Sequence, residues 1–235
     1  MKELYPYIKD WGNQNKDFAL ATVLKTWGSG PRPAGSQMLI SKEMDMVGSV
    51  SGGCVEGTVV REALARMEDG KPKELHFGIS NDEAWEVGLS CGGKLDVWVE
   101  KWGDGPAWNE LRKRLGEEIP SIWTFALDEA NPSHTLITPE GQFVGDSIDE
   151  ELKQLALDSF SQRKSQWVQK ENSSYFIKVI PPKSRLLIIG AAHISADLVK
   201  LANMYGFESI VIDPRGLFAQ KTNFEVKADQ MLEAY

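Results

Sequence analysis

Cysteine is scarce in this chain of 235 residues, which has only Cys54 and Cys91. Two thiols make no disulfide framework of the kind that staples small secreted domains, and they fit a reducing cytoplasm. Histidine is almost as rare, and His76, His134 and His193 stand at no recognisable zinc spacing. Basic residues do not dominate either: 26 Lys and Arg against 34 Asp and Glu leave a net charge of −8. That balance speaks against nucleic acid or an anionic membrane as partner, because both call for a basic surface. It leaves room for a small anion in a local pocket. No apolar run approaches the roughly 20 residues of a membrane helix. The opening MKELYPYIKDWGNQNKD is too polar for a signal peptide. The expectation is a cytoplasmic α/β protein.

What is present is ordinary for a globular chain, 42% hydrophobic and 26% charged, and long enough for one large domain or two modest ones. Leu4, Ile8 and Trp11 stand at helical spacing. Phe18 to Thr26 reads as a strand rich in β formers, followed by a Gly- and Pro-rich loop from 28 to 35. Strands over 36–41 and 44–50 make a hairpin-like return. A helix after Cys54 carries Val55, Val59, Ala63 and Met67 on one side and closes at Gly70. Further strands are expected over 74–78, 94–102, 121–127, 135–138, 142–145 and 174–180, with helices around 104–118 and 148–163. After the Pro181-Pro182-Lys183-Ser184 linker, Arg185 to Ile189 has the continuous apolar pattern of a buried parallel strand. A glycine turn, a helix over 194–205 and a strand over 208–212 complete a βαβ pattern. The chain stops at Tyr235, short of the strands such a domain needs, which reads as a truncated or processed chain or a half-domain completed by another subunit. No internal repeat of solenoid type is visible.

Three segments carry chemistry. Ser51-Gly52-Gly53-Cys54 lies between a strand and a helix, where unpaired N–H groups and the helix dipole attract an anion such as phosphate. A cysteine there tends toward a lowered pKa. Cys91-Gly92-Gly93 nearly repeats the turn. Spacing alone allows the two thiols to converge on one pocket, or one to pack in the core while the other is incidental. Thiolates would suit a soft or redox metal. Arg32, between two prolines in the Gly28–Gly35 loop, could clamp a phosphate bidentately, or could equally be an idle arginine on a solvated turn. Glu56, in the first helical turn, complements the dipole rather than acting as an acid–base catalyst.

GSGPRPAGSQML, VGSVSGGCVEG and GLSCGGKLDVWVE, in that order, closely resemble the xanthine dehydrogenase accessory factor family (XdhC/CoxI) over residues 18 to 102. LLIIGAAHISADL with VIDPR resembles the Rossmann domain attached in that family, over 185 to 216. The resemblance implies a non-catalytic maturation factor that binds molybdenum cofactor (molybdopterin). Such a factor protects the cofactor during sulfuration and helps insert it into a molybdenum hydroxylase apo-enzyme of xanthine dehydrogenase type. It further implies a cysteine desulfurase as partner and a homo-oligomer. On this reading Gly52, Gly53, Gly92, Gly93 and Arg32 serve the anionic pterin and its phosphate, with Cys54 facing the metal and Cys91 second.

The later turn departs from the dinucleotide fingerprint, since Ala192 and Ser195 replace glycines in Gly190-Ala191-Ala192-His193-Ile194-Ser195. Asp213 stands about 20 residues on, where a ribose-binding acid belongs. Gly190, His193 and Asp213 therefore carry an alternative reading, an NAD(P)-binding oxidoreductase. The expected architecture is a β-rich α+β domain over 1–182 followed by an incomplete Rossmann-like domain over 183–235.

Overall fold

The first 181 residues trace one path twice. In a computed structural model of the chain, which describes residues 1–28, 30, 32–78, 93–170, 173–215 and 227–234, a short 3₁₀ turn leads into the first pass. That pass is α1 (Tyr5–Asn13), β1 (Phe18–Trp27), β2 (Gln37–Ser41), β3 (Met46–Gly48), α2 (Glu56–Asp69), β4 (Lys73–Phe77) and β5 (Lys94–Lys101). The second pass is α3 (Pro106–Gly116), β6 (Ser121–Ala126), β7 (His134–Ile137), β8 (Phe143–Gly145), α4 (Glu150–Ser161), β9 (Gln166–Lys170) and β10 (Ser173–Ile180). Each pass makes one antiparallel sheet with the same strand order, β3-β2-β1-β5-β4 and β8-β7-β6-β10-β9.

The backbone repeats in detail. Asn15 and Glu118, each two residues past a helix end, take φ of 53° and 56°. Gly48 and Gly145, at the ends of β3 and β8, have φ of 88° and 114°. A Cβ at either would run into the carbonyl oxygen of the neighbouring strand, Gln37 in one case and His134 in the other. Only glycine allows that approach. The duplication escapes the sequence because its loops differ in length and a matched pair such as Asn15 and Glu118 shares backbone geometry rather than residue type.

Burial explains the layering. Leu20, Leu24, Leu39 and Trp98 of the first sheet meet Trp123, Phe125, Leu136, Phe176 and Ile180 of the second in one aromatic-rich core, joined by Ile8 and Trp11 of α1 and Trp108 and Leu111 of α3. On the far face of the first sheet, α2 packs Val59, Ala63 and Met67 onto Ala19, Ala21, Val23, Val97 and Val99. On the far face of the second, α4 packs Leu152 and Ala156 onto Ile122, Ile137 and Ile177. Strand β1 is buried on both faces, which is why its sequence runs apolar without alternation.

One ion pair crosses the inter-sheet core. His134 Nε2 lies 2.7 Å from Glu100 Oε2, with Glu100 3% exposed and the imidazole close to the rings of Trp108 and Trp123. Burial alone would lower the His134 pKa, but the Glu100 carboxylate outweighs it and raises the pKa above the usual histidine value.

Residues Pro182–Tyr235 form a second unit. β11 (Arg185–Ile189), α5 (His193–Met204) and β12 (Glu208–Ile212) make a βαβ with parallel strands, and β13 (Gln230–Leu232) adds a third parallel strand beside β12. The apolar run of β11 is not buried on both faces. Val199 of α5 packs with Ile188 and Val211, while Leu187 and Ile189 are 61% and 86% exposed among the described residues. The mixed α/β class expected from the sequence is the one found. Two strands absent from the sequence reading, β9 and β13, are short, with five and three residues.

Replacing Glu100 by Gln is expected to destabilise the protein, since it leaves the buried imidazole without its charge partner. A raised folded-state pKa contributes stability that is complete below about pH 6.5, the unfolded histidine value, and disappears as pH rises through the folded value. The difference in unfolding free energy between wild type and Glu100→Gln should therefore be larger at about pH 6 than at about pH 9. Equal differences in urea titrations at the two values would exclude this role for the pair.

Candidate functional site

Strand pairing gathers the glycine segments at one end of the first sheet. β1 runs through Thr22, paired with the first residue of β2, to Trp27, paired with Lys94 at the start of β5. The β1–β2 loop therefore leaves at that end, and the Val23 N–H is held by Ser36 O where the loop returns. β3 finishes at the same end, where the Ser49 N–H donates to Gln37 O. Gly93 also lies here, against the loop: a Cβ on it would stand 2.9 Å from Trp27 O and 3.2 Å from Gly30 N. Its missing side chain lets two chain segments approach each other. Cys91 and Gly92 lie outside the described residues. Beyond Thr22, where β2 ends, β1 and β5 extend with β4 alongside for about 16 Å, taking ~3.3 Å per residue.

Gly52 and Gly53, with φ of 81° and 121°, curve the backbone after Val50 so that successive N–H groups point inward, the concave nest that binds anions. The anion in this nest belongs to the chain itself. The Glu56 carboxylate accepts from the N–H groups of Val50, Ser51, Gly52, Gly53 and Val55 at 3.3, 2.9, 3.1, 2.9 and 3.2 Å. It also accepts from the Ser49 hydroxyl at 2.8 Å and from the Ser51 hydroxyl. Ser51 Oγ in turn accepts from the N–H groups of Cys54 and Val55, both at 3.0 Å. Burial would raise the Glu56 pKa, but the Ser51 and Ser49 hydrogen bonds prevail and bring it to about 2. The N–H groups offered to a phosphate in the sequence reading are thus engaged by Glu56, which does far more than complement a dipole. The signal was an acid two residues beyond a Ser-Gly-Gly-Cys turn, close enough to fold back on it. Cys54 is half-buried beside the α2 core, in a turn whose backbone these bonds fix.

Arg32 is half-buried, and its Nε is enclosed with no hydrogen-bond partner among the described residues. The guanidinium acts electrostatically on the Met1 amino group, as does Lys178 of β10.

These pieces fall within one family match. Residues 11–78, from α1 through the Arg32 loop and the Cys54 turn to the end of β4, match the XdhC and CoxI family. A Bacillus subtilis (strain 168) protein, named as a probable xanthine dehydrogenase subunit, is 28% identical over 226 residues, covering 94% of this chain and 66% of the relative. Molybdenum cofactor insertion chaperone PaoD of Escherichia coli (strain K12) is 30% identical over 105 residues, 45% of this chain and 33% of PaoD. The chain thus spans less than two thirds of either relative's length. A solved structure described as a xanthine dehydrogenase from Bacillus halodurans shares the fold at a TM-score of 0.72 and 22% identity, covering 98% of this chain and 68% of that one.

Outside the XdhC/CoxI segment, the βαβ turn is also closed on itself. Gly190 N–H donates to Ile212 O at 2.7 Å, Ala191 N–H to Asp213 Oδ2 at 2.7 Å, and the Ser195 hydroxyl to Gly190 O at 2.6 Å. Both Asp213 oxygens also accept from Arg215, and these bonds hold its carboxyl well below the usual range. Asp213 is buried in this arrangement, so the acid expected at a ribose instead ties β12 to the glycine turn. His193 is exposed at the start of α5.

Two further features lie within the first unit. Glu74, His76 and Asp96 bring one donor atom each within 4.8 Å of one another across β4 and β5, a grouping that linear spacing cannot reveal. A cavity of about 260 Å³, lined among others by Lys16, Asp17, Lys101 and Arg112, sits at the opposite end of the first sheet from the glycine segments.

Glu56→Ala is expected to destabilise the fold by about 1–3 kcal/mol, because the N–H groups of Val50 and Ser51 lose the Glu56 acceptor. In a scanning calorimeter each kcal/mol should appear as a drop of roughly 2–4 °C. A depressed carboxylate pKa contributes stability that is present above the ordinary value of 4.5 and lost as pH falls toward 2. The gap between wild type and Glu56→Gln should therefore close on acidification through that window, and a gap independent of pH would refute the account.

Proposed function

We propose that this chain is a maturation factor that holds molybdenum cofactor and passes it to the apo form of a xanthine dehydrogenase-type molybdenum hydroxylase. The observation that carries this reading is the family match over residues 11–78, which takes in both the Arg32 loop and the Cys54 turn. The names of the relatives support it, one a molybdenum cofactor insertion chaperone and the other a xanthine dehydrogenase subunit. The cofactor is an anionic pterin dithiolene with a terminal phosphate.

The residues fit such a group unequally. Arg32, with an enclosed Nε lacking a partner among the described residues, suits the phosphate. Gly52 and Gly53 do not serve as phosphate donors while Glu56 occupies their N–H groups. Their part is to shape the turn that presents Cys54. Cys54 is the thiol proposed to face the metal, with Cys91 second beside Gly92 and Gly93. Protection during sulfuration, a cysteine desulfurase as partner, a homo-oligomeric state and a cytoplasmic location extend the same proposal. The oxidoreductase alternative draws no support from Asp213, whose oxygens are engaged by the Ala191 N–H of the glycine turn and by Arg215.

Purification from a host that makes molybdopterin, followed by oxidation of the pterin to its fluorescent form, measures cofactor retention directly. Wild type should retain it, and Cys54→Ser should retain about tenfold less, the equivalent of ~1.4 kcal/mol. Wild type without pterin would refute the proposed function, whereas undiminished retention by Cys54→Ser would remove only the thiol's role.

A further inference from the structure

The loop that carries Arg32 docks against the second sheet, and a lysine waits there. At Gly35, three residues beyond Arg32, an added Cβ would stand 2.9 Å from the Ser165 side chain and 3.3 Å from Lys178 Nζ. Lys178 shares a face of β10 with Phe176 and Ile180, both in the inter-sheet core, so its stem rises from an apolar face. Burial lowers its pKa to about 8, opposed by Glu3, the acid that acts on it. No carboxylate reaches Lys178 within ion-pair distance among the described residues. The Met1 amino group beside it is lowered to about 5, first by burial and then by Lys178, so it is largely neutral at neutral pH. Lys25 of β1 is committed elsewhere, with Nζ 3.1 Å from the centre of the Trp167 ring.

Arg32 and Lys178 both act on the Met1 amino group, and two half-buried cations with no carboxylate in ion-pair contact among the described residues are costly through desolvation. A bound anion is the ordinary compensation. The duplicated fold supplies a comparison within the molecule. The corresponding loop of the second pass docks on the first sheet, where the Glu74 N–H donates to Glu129 Oε1 beside His76 and Asp96, and that dock is acidic. The Arg32 side, with Lys178 beside it, thus differs in charge from its counterpart.

We propose that Arg32 and Lys178 together form a site for a phosphate monoester and, resting on the cofactor reading above, that it receives the phosphate end of the bound pterin. Arg32 supplies the planar fork and Lys178 a point charge from the opposite sheet. The signal in the sequence was a lysine within Phe176-Ile177-Lys178-Val179-Ile180, a strand apolar on both faces.

Calorimetric titration of the full chain with inorganic phosphate, and separately with molybdopterin under anaerobic conditions, tests this. Lys178→Met keeps the stem and removes the charge; Arg32→Gln is a second variant should Lys178→Met fail to fold. Each should weaken both ligands about ten- to hundredfold, as expected for a charge-assisted contact, and Lys178→Arg should restore most of the loss. Wild-type affinity for both ligands in either folded variant overturns the site. If wild type binds phosphate in a Lys178-dependent manner but not molybdopterin, the anion site stands and the cofactor reading fails.

Discussion

The pairing of β1 with both β2 and β5 is the constraint on which the rest of the first unit depends. β1 is central in its sheet, buried on both faces, and longer than either of the strands that flank it on the β2 side. Because its partners run antiparallel, the loop after β1, the turn after β3 and the entry to β5 all open at one end. Segments scattered over some 65 residues of sequence, from Gly28 to Gly93, are thereby brought to one end of the first sheet. A slip of one residue in that register would turn Ala19, Ala21 and Val23 away from α2 and toward the inter-sheet core, so the hydrophobic pattern that folds the sheet also places the loops.

At that end the Cys54 turn is held by its own acid. Five backbone donors and two hydroxyls converge on Glu56, and the result is a turn that needs no ligand to keep its shape. A geometry satisfied in this way can present a thiol without first being ordered by cofactor, which avoids the entropic cost of ordering on binding. The same logic applies to Asp213 in the second unit, whose carboxylate closes the βαβ turn from within. In both places a glycine-rich turn that resembles an anion receptor already contains an anion.

The duplication sets these features in relief. Both passes share strand order, helix placement and paired backbone irregularities, yet the first pass has the longer connections. The link from β1 to β2 spans 28–36, against 127–133 for the corresponding link in the second pass. The link from β4 to β5 spans 78–93, against 171–172. The longer β1–β2 link falls within the family match and the longer β4–β5 link begins where that match ends, while the second pass supplies the facing sheet, with Lys178 and Ser165 beneath the Arg32 loop.

Local chemistry was legible in the residues themselves. Alternation and apolar runs located the helices and most strands, Gly70 marked the left-handed end of α2 with φ of 70°, and the glycine–cysteine turns and Arg32 loop stood out by composition. Such features depend on neighbours along the chain, so a linear reading can reach them. It could not reach contacts between distant segments. That Glu56 fills the nest, that Glu100 and His134 pair across two sheets, and that Lys178 lies against the Arg32 loop each follow from how strands pair and layers face one another. Sequence determined which residues could bear charge, turn sharply or enter a core; only the tertiary structure decided which charges meet, because burial and register, rather than spacing, select a charge's partner.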